Sequence, residues 1–166
     1  GGYLFSLRHR DTSRLIRGHS KEELPFVSIL IPAHNEEVVI DETIKSMLRL
    51  NYPKEKLEVI IINDNSSDAT GEIAEAYAKG NKCMKVIHNK PPLAGKGKSG
   101  ALNTGFRQSS GEVIVVYDAD NTPEPDAVLN LATTLQQDTE AGAIVGKFRV
   151  TNSKKNILTR FINIET

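Results

Sequence analysis

The chain has 166 residues, with 21 Lys and Arg against 21 Asp and Glu, one Cys and no Trp. That length suits one domain with a sizeable core, and 39% hydrophobic with 25% charged residues excludes a disordered or collagenous chain. No apolar run approaches the ~20 residues of a membrane-spanning helix, and residues 1–17 lack the apolar core of a secretory signal. The single Cys83 allows neither an internal disulfide nor a Cys-rich zinc site.

Residues 1–24 read as a basic arm, and an ordered domain is expected over 25–166. Phe26–Ile31 is an apolar run closed by Pro32, as in a buried strand. Ile40, Ile44, Met47 and Leu48 recur at helical spacing, with Glu36 and Glu37 expected in the first turn. Asn51-Tyr52-Pro53 stops that helix, and Val59–Ile62 is a second buried strand ending in the turn-rich Asn63–Ser67. Ile73, Ala74 and Tyr77 mark a helix closed by Gly80. Met84–Ile87 is a third strand, Pro91–Gly100 a Gly- and Lys-rich loop, and Ala101–Gln108 a short helix. Val113–Tyr117 is a fourth strand. Thr122-Pro123 reads as the cap of a helix whose stripe is Val128, Leu131, Ala132 and Leu135. Ile144, Gly146, Phe148 and Val150 alternate as a fifth strand, and a last helix begins near Ile157. Strands alternating with amphipathic helices imply a mostly parallel sheet covered on both faces, a Rossmann-like α/β fold. Ligands of such sheets sit beyond the carboxyl ends of the strands.

The charges lie in blocks. Within residues 1–20, Arg8, Arg10, Arg14 and Arg17 stand against a single acid, Asp11. Residues 76–111 hold Lys79, Lys82, Lys85, Lys90, Lys96, Lys98 and Arg107 and no acid. Glu112, Asp118, Asp120, Glu124 and Asp126 follow with no base among them. A cationic block beside an anionic one suits a ligand carrying phosphates and a divalent cation; solvated surface runs are the plainer reading.

Three motifs carry chemistry. Asp118-Ala119-Asp120 directly follows a buried strand. In extended backbone its carboxylates project to one side, ~6.5–7 Å apart, and their hard oxygens suit Mg²⁺ or Mn²⁺. The competing reading is a pair of turn-forming Asp residues. The loop Ala94–Gly100 contains Gly95, Gly97 and Gly100 at a G-x-G-x-x-G spacing, and Gly97-Lys98-Ser99 matches the end of a P-loop. A dinucleotide fingerprint should follow its strand directly, yet Pro91-Pro92 intervenes. The P-loop lacks its first Gly, where Pro92 stands, so a nucleotide hydrolase is only a competing reading. The third motif is Asn63–Asp68, in which Asp64 can accept from a ligand N–H and Ser67 or Asp68 is expected to cap the next helix. His9, His19, His34 and His88 have no metal-ligand spacing.

Taken in order, these segments resemble the family 2 glycosyltransferases of GT-A fold. Val27–Glu37 is similar to the family's opening strand and P-x-x-N-E turn. Ile61–Asp68 resembles its D-D-x-S-x-D segment, with Asn63 replacing the first Asp. Gly97–Gly105 resembles its G-K-x-x-A-L-N-x-G helix start, and Asp118-Ala119-Asp120 its D-x-D. The region Gly146–Glu165 is similar to membrane-bound polysaccharide synthases. The resemblance implies that Pro32, Ala33 and Glu36 line a nucleotide pocket and that Asp64 recognises uracil. It places Lys98 near the diphosphate, Asp118 at the ribose and sugar side, and Asp120 (with Asp118) at the metal. It implies an inverting transfer from a UDP-sugar, with Mg²⁺ or Mn²⁺, to a saccharide or lipid-linked acceptor, and no nucleic-acid partner. Asn63 leaves nucleotide preference open. An inverting transfer needs a general base, and no family base motif is legible after Asp120. The base is therefore expected beyond Thr166, with the fold cut before its acceptor half and these residues alone weakly active or inactive. The resemblance also implies that the full-length protein sits on the cytoplasmic face of a membrane. A non-catalytic nucleotide-binding module is the remaining alternative.

Overall fold

A computed structural model describes residues 23–92, 94–137, 141–144 and 146. The elements alternate: β1 (Val27–Ala33), α1 (Ile40–Leu48), β2 (Leu57–Asp64), α2 (Thr70–Gly80), β3 (Met84–Asn89), α3 (Gly97–Arg107), β4 (Val113–Val116) and α4 (Ala127–Gln137). The four described strands form one sheet in the order β3-β2-β1-β4, and every pairing is parallel. The chain winds outward from β1 to β3, then returns to the other side of β1. Right-handed crossovers therefore send α1 and α2 to one face and α3 to the opposite one. The packing follows that topology. Ile29, Ile31, Val59 and Ile61 join Ile40, Ile44, Met47, Ala74 and Val128 in the larger core. Leu30, Ile60 and Ile62 pack with Ala101 of α3 in the smaller one. Alternation along each strand sorts these residues, because successive side chains point to opposite faces.

The smaller core is tight. A Cβ on Gly105 would come within 2.9 Å of Ile62 Cδ1, so only glycine lets α3 approach the sheet this closely. The loop before β4 is pinned at the far end of the sheet. The Ser28 hydroxyl donates to Glu58 Oε1 (2.5 Å) and accepts from Gly111 N–H (2.7 Å), while Ser110 N–H also donates to Glu58. Burial alone would raise the Glu58 pKa, but these donors and Lys85, 3.0 Å from Oε2, hold it below the usual carboxylate range.

Several boundaries differ from the sequence reading. Leu24, assigned to the arm, is buried in the core, and Lys56 Nζ donates to its carbonyl at 2.7 Å. Glu36 and Glu37 precede α1, whose first-turn acids are Asp41 and Glu42. Helix α3 begins a turn earlier than expected, at Gly97. Helix α4 begins at Ala127, not at Pro123. Pro125 explains the last difference, since a proline pushes the residue before it out of the helical region. The arm before residue 23, most of the fifth strand expected over Ile144–Val150 and the helix from Ile157 lie outside the described residues.

Candidate functional site

The carboxyl ends of the strands form one rim, with Asn89, Asp64, Ala33 and Asp118 in spatial order across β3, β2, β1 and beyond β4. Strand β2 runs to Asp64, two residues past the expected Ile62, so Asp64 is fixed by sheet pairing rather than carried on a loop. Its register partner is Asn89, and that of Asn63 is His88. Alternation sends these two pairs to opposite faces. Asn63 Nδ2 donates to His88 Nδ1 (3.1 Å), His88 Nε2–H then donates to Glu75 Oε1 (2.9 Å), and Asn63 Oδ1 accepts from Ser66 N–H (3.1 Å). A Cβ on Gly71 would strike Asn63 Nδ2 at 2.4 Å, so α2 closes over this group only because residue 71 is glycine. A cavity of about 420 Å³ beside α2 is lined by Asn63, Asp68, Gly71, Glu75 and His88 among others; it includes none of Asp64, Lys98, Asp118 and Asp120. Asn63 is thus a packing group on the α2 face. Asp64 lies on the face of Ile62 and α3. There its Oδ1 accepts from Asn89 Nδ2 at 3.1 Å in a buried contact.

The loops after β1 and β2 hold each other through reciprocal side-chain and backbone bonds. Asp64 O accepts from His34 Nδ1–H (2.8 Å), which leaves Nε2 to accept from Asn35 Nδ2 (3.3 Å). Asn35 Oδ1 accepts from Ser67 N–H (2.8 Å), and Asn35 N–H donates to the Ser66 hydroxyl (3.0 Å). Glu36 N–H donates to Thr70 Oγ1 (2.8 Å). Glu37 N–H donates to Asp68 Oδ2 (3.1 Å), and Glu37 Oε2 accepts from Ala69 N–H (2.9 Å). Asp68 Oδ1 also takes Thr70 N–H at 3.0 Å, but Asp68 is not the cap expected of it: the N-cap of α2 is Ala69, and no side chain caps that helix. Burial would raise the Asp68 pKa, yet the Thr70 and Glu37 donors hold it below the ordinary value. Of the residues expected to line a nucleotide pocket, Pro32 is half-buried within β1, Ala33 is buried at its end, and Glu36 starts the turn into α1 through its carbonyl.

The other end of the rim is open. Asp118-Ala119-Asp120 is not extended: Asn121 N–H returns to Asp118 O at 3.0 Å, closing a turn. Ala119 is buried, and its carbonyl accepts from the Thr43 hydroxyl of α1 at 2.6 Å. The two carboxylates therefore flank a fixed point and stand exposed. Lys98, in the first turn of α3, forms an ion pair with Asp118, both side chains about half exposed. Among the described residues, no group of three His, Cys, Asp or Glu gathers to hold a metal. Two exposed carboxylates fit a cation that takes its remaining ligands from phosphate and water, rather than a closed protein cage. No hydrogen bond or ion pair among the described residues joins Asp64 to Lys98 or Asp118.

Sequence reasoning placed Asp64, Lys98, Asp118 and Asp120 on this rim but missed Asn89, because it ended β3 at Ile87. His34, which has no metal-ligand spacing in the sequence, is exposed and ties the β1 loop to Asp64.

Residues 28–164 match the family model described as glycosyl transferase family 2. The Bacillus subtilis (strain 168) protein named "Probable glycosyltransferase YdaM" is 61% identical over 145 residues, covering 87% of this chain and 34% of that protein. A beta-monoglucosyldiacylglycerol synthase of Trichormus variabilis is 40% identical over 147 residues, covering 87% and 31%. A poly-beta-1,6-N-acetyl-D-glucosamine synthase of Staphylococcus epidermidis is 33% identical over 164 residues, covering 98% and 38%. The chain spans about a third of the length of these curated relatives. The mannosyltransferase PcManGT from Pyrobaculum calidifontis, solved with GDP-Man and Mn²⁺, has a TM-score of 0.66 at 26% identity. The match covers 77% of this chain and 39% of that one, and the shared fold is GT-A. With a family model matched from the first strand to within two residues of the end, the chain belongs to glycosyl transferase family 2.

Proposed function

We propose that this chain is the donor-binding part of an inverting glycosyltransferase that uses a UDP-sugar. The observation that carries the reading is the rim itself. A buried carboxylate at the end of β2, a lysine in the first turn of α3 and two exposed carboxylates after β4 line one edge of a GT-A sheet. Asp64 receives the ring N–H of the base, and Pro32, Ala33 and Glu36 shape the wall beside it. Lys98 and the N-terminal N–H groups of α3 face the diphosphate, where a helix start favours anions. Asp118 serves the ribose and sugar side, and with Asp120 it holds Mg²⁺ or Mn²⁺. When bound, that cation neutralises charge developing on the leaving diphosphate.

In the transfer, an acceptor hydroxyl oxygen bonds to the anomeric carbon as the bond to the β-phosphate oxygen breaks, and UDP departs. A general base takes the hydroxyl proton. We place that base outside these residues, as the family resemblance implies. The relatives' names support a saccharide or lipid acceptor. A membrane-side, cytoplasmic location for the full-length protein is part of the same proposal, supported by the arginine-rich first 20 residues. Among the described residues, no helix is long and apolar enough to cross a membrane.

Calorimetric titration of UDP with and without Mn²⁺ tests this reading. Metal-dependent binding that weakens with Asp120→Asn supports it. Absent or metal-independent binding removes it.

A further inference from the structure

The bond between Asn89 and Asp64 has a consequence for which base the rim can accept. A carboxylate only accepts, so the end of Asn89 that faces Asp64 is its NH₂ group, and Oδ1 of Asp64 already accepts one hydrogen bond. Among the described residues, the Asp64 Oδ2 atom has no hydrogen-bond partner. Among the described residues, Asn130 Oδ1 is the sealed side-chain polar atom left unpaired, so Asp64 Oδ2 is not sealed from solvent. Asn89 is itself 2% exposed and held in register by β2–β3 pairing, so this occupation of Oδ1 is built into the sheet. The site therefore offers a base one unshared carboxylate oxygen, Oδ2, and one that Asn89 already shares.

Bases differ in what they present to such a group. Uracil has one ring N–H between two carbonyls, and a single acceptor satisfies it. Guanine has its ring N–H and amino N–H side by side, a pair that matches both oxygens of a free carboxylate. With Oδ1 already accepting from Asn89, the guanine amino group competes with that amide for it, and a donor left with a poorer partner in a desolvated site is penalised.

We propose that Asn89 is a specificity-determining positioning residue, which selects uracil over guanine by occupying one oxygen of Asp64. This rests on the donor-site reading above, in which Asp64 meets the base.

The test compares UDP, GDP and IDP binding by calorimetry, with Mn²⁺ present, on the full chain and on Asn89→Ala and Asn89→Leu. Leu keeps the branched outline of Asn, fills the site and cannot donate. Both variants are expected to shift the UDP-to-GDP affinity ratio about tenfold towards GDP, the size of one bidentate pairing gained. A ratio within about twofold of the parent in both variants overturns the proposal. So does a shift confined to Asn89→Ala, which would reflect space rather than hydrogen bonding. Should both variants fail to fold, the unaltered chain decides. GDP, which differs from IDP only in the amino group, then binds at least about fivefold more weakly than IDP, whereas GDP within about fivefold of IDP, or stronger, overturns the proposal. Failure of the unaltered chain to bind UDP removes the donor-site reading itself; UDP binding with an unmoved ratio removes only the role of Asn89.

Discussion

At the β1–β2 end of the rim, Asn35, Glu37, Ser66, Asp68 and Thr70 bond one loop to the other, and Asp64 is buried within the sheet. At the β4 end, Asp118 and Asp120 stand exposed, and among the described residues their one side-chain partner is a lysine that is itself about half exposed. The first end is complete without a ligand. The second is a set of like charges that needs a counter-ion, and Lys98 neutralises one of the two carboxylates. A nucleobase has a fixed hydrogen-bonding edge and is best read by a rigid partner. A metal diphosphate brings its own charge and ligands, so its side can stay open. The contrast teaches that affinity should reside at the rigid end, and metal dependence at the open one.

Asp64→Ala breaks the rigid end directly. Its loss is expected to cost ~1.5–3 kcal/mol of UDP binding, about 10- to 100-fold in affinity by calorimetry, with the response to Mn²⁺ retained. Gly71→Ala attacks the backing of that end. The added Cβ must displace Asn63, so unfolding in denaturant should show a loss of ~1–3 kcal/mol. Lys98→Ala tests the open end. An exposed ion pair contributes at most ~1 kcal/mol, so folding stability should barely move. UDP affinity should fall only several-fold, mainly at low salt. A larger stability loss than that of Gly71→Ala would reverse the contrast.

The smallest effect on the ligand should come from Tyr52, at the opposite end of the sheet, where its hydroxyl donates to Pro25 O at 2.7 Å. Burial and the nearby Glu112 charge push its pKa up from 10.0 to about 12. The folded state thus holds the phenolic proton more tightly than the unfolded one. This contribution to stability is complete below pH 10 and is lost as pH rises towards about 12. Tyr52→Phe should flatten the alkaline fall in stability over that range while leaving UDP binding unchanged. A change in binding would show that the two ends of the sheet are coupled.

The strand ends were legible because buried parallel strands read as continuous apolar runs, and the residues after Ile31, Ile62 and Tyr117 change character abruptly. Asn89 was not legible. His88 and Asn89 are polar, and only pairing with Asn63 and Asp64 extends β3 over them. The extended geometry expected for Asp118-Ala119-Asp120 also gave way. Burial of Ala119 and its bond to Thr43, 76 residues earlier in the chain, fold the segment into a turn. The departure at Asn63, which left nucleotide preference open, acquires a different meaning once its side chain is seen bonded to His88 behind Gly71.

The sequence by itself determined the α/β alternation, the parallel sheet and the kinds of charged group at the strand ends, because periodicity and composition are local properties. Tertiary structure decided which of those groups meet. Asp64 finds Asn89, Asn63 finds His88 and Lys98 finds Asp118 across separations of 20 and 25 residues. Strand register and the face of the sheet choose such partners, and both follow from how the whole sheet packs rather than from any window of sequence.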